Sequence, residues 1–188
     1  MKRRQFLPLL AVVGGLVLPL AAHRAAPQEE QRTARLTLAQ SVGPPGGNVA
    51  VPIQLAGAEP GQVGSLTLTV RFPAAQLTFI KVEMSGLGEA VGAAATAVAK
   101  ESAGETQLEL TIASPEKDGI RTPLPDGPIA HLLFKIARGL KPETVIPLKV
   151  HVAGGGARPG AGPVRVAARD GEIIVSNPAV VGCFFYMH

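Results

Sequence analysis

The sequence predicts an all-β sandwich, and three observations carry that prediction. Apolar and polar residues alternate through Ser65–Val70 and again through Gln107–Ile112, which is the period of a half-buried strand. Turn chemistry recurs between the apolar runs, at Gly43-Pro44-Pro45-Gly46-Gly47, Glu59-Pro60-Gly61, Asp118-Gly119, Asp126-Gly127, Gly154-Gly155-Gly156 and Asp170-Gly171. The runs themselves are short and regularly spaced, about eight in all, as in two packed antiparallel sheets.

In order, the predicted strands are Ala34–Ala39, Asn48–Ala56, Ser65–Phe72, Leu77–Glu83, Thr106–Ala113, Ile129–Ala137, Thr144–Val152 and Val164–Val175. Alternation turns Leu66, Leu68 and Val70 inward and Ser65, Thr67 and Thr69 outward. It likewise turns Leu108, Leu110 and Ile112 inward and Gln107, Glu109 and Thr111 outward. Leu68, Leu110 and Phe134 sit at the centres of their apolar runs and are the expected core. Pro52 and Pro147 fall inside strands. Proline cannot donate to a ladder, so both are expected on edge strands or at bulges. Leu132-Leu133-Phe134 breaks the alternation, which predicts a strand buried on both faces or bent by a bulge.

Residues 86–100 read two ways. The stretch is expected to be a loop followed by a small-residue strand at Ala94–Lys100, with a short helix as the alternative on alanine content. Gly86-Leu87-Gly88-Glu89-Ala90-Val91 follows a strand and half matches a dinucleotide-binding loop. Its sixth position is Val91 and no second β-α unit follows, so a nucleotide site is not expected.

The front of the chain has the layout of an export signal over residues 1–26. Lys2, Arg3 and Arg4 precede an apolar stretch from Phe6 to Ala22, and small residues follow at Ala25 and Ala26. Arg3-Arg4-Gln5-Phe6-Leu7 resembles a twin-arginine core, and the general secretory route and an uncleaved anchor are alternatives. Residues 27–34 read as a polar tether. Residues 177–188 form an apolar tail, with Phe184, Phe185 and Tyr186 among the seven aromatics of the chain.

Charge agrees with this division. The chain has 18 Lys+Arg and 14 Asp+Glu. Lys2, Arg3, Arg4 and Arg24 lie in the first 26 residues with no acid, which leaves 14 against 14 in the rest. A neutral remainder gives no basic face for nucleic acid. Membrane contact is expected only through the N-terminal segment. The single cysteine, Cys183, allows no disulfide within the chain and no cysteine-based zinc site.

No nucleophile elbow, zinc-protease helix or phosphate loop occurs in the sequence. His131 and His151 fall on separate predicted strands, and His188 ends the chain. Glu116, Asp118 and Asp126 could form a weak calcium loop, but their spacing does not match an EF-hand. The sequence therefore leads us to expect no catalytic residue, no cofactor and no metal ligand.

Three segments then carry a resemblance. Arg71-Phe72-Pro73-Ala74-Ala75-Gln76-Leu77-Thr78-Phe79 resembles the cohesin element in which an outward-polar strand ends in an aromatic–Asp–Pro turn, with Asp-Pro slipped here to Pro-Ala. Asp126-Gly127-Pro128-Ile129-Ala130-His131-Leu132-Leu133-Phe134-Lys135-Ile136-Ala137-Arg138-Gly139 is similar to a later cohesin strand that closes on a basic residue and glycine. Asp170-Gly171-Glu172-Ile173-Ile174-Val175 resembles the terminal strand. The resemblance implies a cohesin-like β-sandwich over residues 35–176, of about eight to nine strands and jelly-roll type. It implies a non-catalytic module that docks a dockerin-like partner through an exposed sheet face, the calcium being carried by the partner. In that family an Asn and an Asp two apart contribute to recognition, and the matching positions are Ser65 and Thr67. Thr69, Gln107, Glu109 and Thr111 share the same exposed face by pattern. The expected location is periplasmic, cell-surface or extracellular. A carbohydrate-binding sandwich and a structural module of the cell envelope are the alternatives.

Overall fold

The alternating runs become two facing sheets. The computed structural model describes residues 33–57, 63–156 and 165–177. In chain order its elements are β1 (Ala34–Leu38), β2 (Ser41–Gly43), β3 (Asn48–Ala56), β4 (Ser65–Pro73), β5 (Leu77–Met84), α1 (Gly86–Ala90), β6 (Ala94–Ser102) and β7 (Glu105–Ala113). They continue with β8 (Glu116–Lys117), β9 (Ile120–Arg121), β10 (Gly127–Ile136), β11 (Val145–Gly156), β12 (Val166–Arg169) and β13 (Gly171–Val175). One sheet has the order β12-β1-β3-β10-β5 and the other the order β2-β13-β11-β4-β7-β6, with β8 and β9 as a separate hairpin. Neighbours are antiparallel except β1–β12 and β2–β13, which are parallel.

The core lies between the sheets and follows the period of two. Leu66, Leu68, Val70 and Phe72 of β4 and Leu108, Leu110 and Ile112 of β7 are all buried. They face Val51, Ile53 and Leu55 of β3 and Leu132, Phe134 and Ile136 of β10, also buried. Burying each such side chain contributes about 1.5–3 kcal/mol, and the described core has no disulfide to supplement it. Leu68, Leu110 and Phe134 are buried as the pattern requires.

Several expectations are corrected. The predicted strand Val164–Val175 breaks at Asp170 into β12 and β13, one in each sheet. The segment from β1 to β2 makes the same crossing beside it. The two crossings touch closely: a Cβ on Gly171 would lie 2.6 Å from the Leu38 Cβ and 2.8 Å from its carbonyl oxygen. Asp170 accepts a hydrogen bond from the Val150 N–H at 2.8 Å and so fastens the corner to β11.

Both prolines sit on interior strands and not on edges. Pro52 lies on β3 where β1 has just ended, and its carbonyl accepts the Ala39 N–H at 2.9 Å. Pro147 lies where β11 pairs with β13 but has not yet met β4, whose ladder with β11 starts at Lys149. Pro147 thus meets no β4 neighbour, whereas Pro52 sits at the last rung of the β1–β3 pairing, where only the Ala39-to-Pro52 bond forms because proline has no N–H to return.

Gly154-Gly155-Gly156 is not a turn. It extends β11 opposite Thr67, Leu66 and Ser65, after a register shift between Val152 and Gly154. Glycine tolerates that bulge, and β4 supplies the ladder that local preference would not. At Leu132-Leu133-Phe134 the bulge expected as one of two readings is present against β5, while burial still alternates, with Leu133 half-buried between two buried neighbours. The irregularities of β10 lie at Pro128/Ala130 against β3 and at Leu133/Phe134 against β5. Residues 86–102 hold both a short helix and a strand. Ser85 caps the helix by accepting the Gly88 N–H at 3.1 Å and donates to the Pro128 carbonyl at 2.5 Å. The Ala-rich stretch is drawn into β6 by its continuous ladder with β7.

Residues 1–26, read as an export signal, residues 27–32 of the expected tether, and the expected tail from 178 onward, with Cys183 and His188, lie outside the described residues. Among the described residues no helix is long and apolar enough to cross a membrane.

Candidate functional site

The outer face of the six-stranded sheet is built from the residues that alternation turns away from the core. Register sets them in rows across β11, β4, β7 and β6. Lys149, Arg71, Gln107 and Lys100 form one row. His151, Thr69, Glu109 and Val98 form the next. Gly154, Thr67, Thr111 and Thr96 follow, and then Gly156, Ser65, Ala113 and Ala94.

All six candidate residues therefore share one face. Thr67, Glu109 and Thr111 are exposed, and Ser65, Thr69 and Gln107 are half-buried. Thr67 lies directly opposite Thr111, and Thr69 opposite Glu109. Each hydroxyl can donate one hydrogen bond and accept others, and a β-branched threonine on a strand has little rotamer freedom to lose. The threonine row thus offers a flat, stiff strip of hydrogen-bonding groups.

Charge is unevenly used on this face. Lys100 reaches Glu109 at 3.1 Å, which neutralises the one acidic member of the candidate set. Lys149 and Arg71 stand opposite one another, and neither has an ion-pair partner among the described residues. Glu172, opposite Pro147 on β13, accepts from the Gln40 amide at 2.7 Å. Sequence reasoning missed Lys149, His151, Thr96, Val98 and Lys100. The signal existed for β11, where Val150 and Val152 flank His151 in alternation. For β6 the alanines on both faces hide it.

The three acids considered for calcium serve separate ends. Glu116 pairs with Arg121 at 2.9 Å, Asp118 occupies a hairpin turn at φ 53°, and Asp126 accepts the Gly57 N–H at 3.2 Å. Arg121 also donates to the Ser114 carbonyl at 2.7 Å, and the Ser114 hydroxyl binds the Thr122 carbonyl, so this loop is tied down by its own groups. His131 lies on the five-stranded sheet opposite Pro52 and Glu83, away from His151. Among the described residues no three His, Cys, Asp or Glu side chains gather as a metal site.

No family model matches the sequence, and no curated protein matches it. Solved structures do match in shape, and they define the class. The third cohesin ScaC of Acetivibrio cellulolyticus, solved in complex with the ScaB dockerin, has a TM-score of 0.63 at 17% identity, over 77% of this chain and 100% of that one. A cohesin of Clostridium thermocellum solved as the Coh-OlpA-Doc918 complex gives 0.62 at 14% identity, over 76% and 99%. A non-cellulosomal cohesin of the hyperthermophilic archaeon Archaeoglobus fulgidus gives 0.55 at 17%, over 82% and 99%. The chain has the cohesin fold.

Proposed function

We propose that this protein is an exported, non-catalytic receptor module that docks a dockerin-like partner on the outer face of its six-stranded sheet. The observation that carries the reading is the coincidence of the cohesin fold with one continuous polar face holding Ser65, Thr67, Thr69, Gln107, Glu109 and Thr111. Several of the similar cohesins were solved with dockerins bound. Docking would proceed by hydrogen bonds from the threonine strip and Gln107, each contributing about 0.5–1.5 kcal/mol net. The calcium belongs to the partner. Ser65 and Thr67 keep hydrogen-bonding capacity where the family pattern has an amide and a carboxylate, so the partner preferred here differs in the groups it presents.

The experiment is capture of partners by the protein from the secretome of its own cells, with calcium and with chelator, followed by titration of each captured protein. Calcium-dependent capture that is lost in Thr67→Arg supports the reading. Capture at full affinity by that variant places the contact elsewhere, and the absence of any calcium-dependent capture removes the dockerin-like partner. Export has its own test in cell fractionation, where a soluble cytoplasmic pool of uncleaved chain would contradict it.

A further inference from the structure

Among the described residues the two sheets end in four edge strands, and three are protected as folded proteins protect edges. β12 has four residues and β2 has three. β5 slips register beside Ile80 and carries the Lys81–Glu83 ion pair. β6 carries charge only near one end, at Lys100, paired with Glu109, and at Glu101, and it is neither short nor bulged. It runs nine residues without proline and keeps an unbroken register against β7 from Ala94 to Ser102. Among the described residues β7 is its only neighbour in the sheet. Even Ala99, on the core-facing side, is exposed. A long flat edge of this kind presents a row of backbone donors and acceptors that can template another strand.

The sequence of β6 identifies the strand that fits. We propose that β6 pairs with β6 of a second copy of this chain, antiparallel and centred on Val98. In that register Val98 faces itself, Ala97 faces Ala99, Thr96 faces Lys100, Ala95 faces Glu101 and Ala94 faces Ser102. The two charges of the strand lie at one end, so the antiparallel arrangement sets them opposite Thr96 and Ala95. A parallel in-register arrangement would stack Lys100 on Lys100 and Glu101 on Glu101, which is unfavourable. Val98 is 55% exposed on the outer face and gains a β-branched aliphatic partner. The contact is self-complementary about a two-fold axis and closes at two copies. That axis is perpendicular to the sheet, so the threonine rows of both copies remain on the same side and the dimer displays two receptor faces.

Cysteine placement tests the register in the full chain with Cys183→Ser. Val98→Cys should oxidise to a covalent dimer, since directly opposed residues lie about 4.5–5.5 Å apart, within disulfide reach. Thr96→Cys alone should stay unlinked, because its copy lies four residues along, about 13 Å away. Thr96→Cys mixed with Lys100→Cys should link again. In sedimentation, the unlinked protein should double its mass as concentration rises. Val98→Lys should move that midpoint at least tenfold higher by setting like charges face to face. Equal linking of Thr96→Cys and Val98→Cys, or no linking and no mass increase at any concentration, overturns the proposal. None of these readouts involves a dockerin-like partner, so the receptor reading can fail while this one stands.

Discussion

Phe72 of β4 and Phe134 of β10 meet edge to face across the sandwich, with ring centroids 5.1 Å apart and planes at 76°. Phe79 of β5 adds a second such contact to Phe134 at 5.9 Å and 66°. Each T-shaped pair contributes about 0.5–1.5 kcal/mol beyond the area it buries. Phe134→Ala removes both contacts and opens a cavity, so it should cost about 3–5 kcal/mol in urea melts. Phe79→Ala should cost less, because that ring is only partly buried. Equal losses would mean that Phe134 is not the hub of the aromatic cluster.

The faces of β4 and β7 were legible because both strands are amphipathic and straight. Leu66, Leu68 and Val70 leave no doubt about Ser65, Thr67 and Thr69. What stayed hidden depends on partners distant in the chain. Gly154-Gly155-Gly156 reads as a turn until β4 lies beside it. The strand expected at Ala94–Lys100 is present as Ala94–Ser102, but with alanines on both sides its faces are set only by its ladder with β7. Pro52 reads as an edge marker because the sequence does not reveal that β1 departs at Ala39. The candidate face was half legible for the same reason. Its centre lies on the amphipathic strands, and its rim comes from β6 and β11.

Gly171 allows the two chain crossings between sheets to run side by side. An added Cβ would meet the Leu38 Cβ, carbonyl carbon and carbonyl oxygen at 3.0 Å or less. Backbone cannot rotate away as a side-chain tip can, so Gly171→Ala should cost about 1–3 kcal/mol. Gly139→Ala is the control, since nothing lies within 4 Å of its added Cβ. Chemical denaturation of the two variants compares them directly, and similar midpoints would count against the close crossing.

The hairpin joining β6 to β7 turns on Ala103 and Gly104, at φ 51° and 84°. Both positions are left-handed, as a two-residue turn matching the strand twist requires. Alanine is a poor occupant, because its Cβ crowds the carbonyl there at about 1–2 kcal/mol. Ala103→Asn should therefore raise stability, by about 0.5–1 kcal/mol, without touching the core. Thermal unfolding at several protein concentrations gives the value, and a lowered midpoint would argue against this turn.

Arg71 and Lys149 place like charges directly opposite each other on an exposed face. Such a pair is unfavourable to the fold, while an opposite-charge pair there is worth roughly 0.2–1 kcal/mol. Arg71→Glu should therefore raise the denaturation midpoint in low salt. The gain should fade toward 1 M salt, where the Debye length falls to about 3 Å. Arg71 also adjoins the row of Thr69 and Glu109, so the same variant should weaken capture of the dockerin-like partner. A protein keeps a destabilising pair most readily where binding uses it. Stability gained together with capture lost would tie the pair to partner contact. Stability gained with capture intact would confine the contact to the threonine rows and leave the Lys149–Arg71 end of the face outside it.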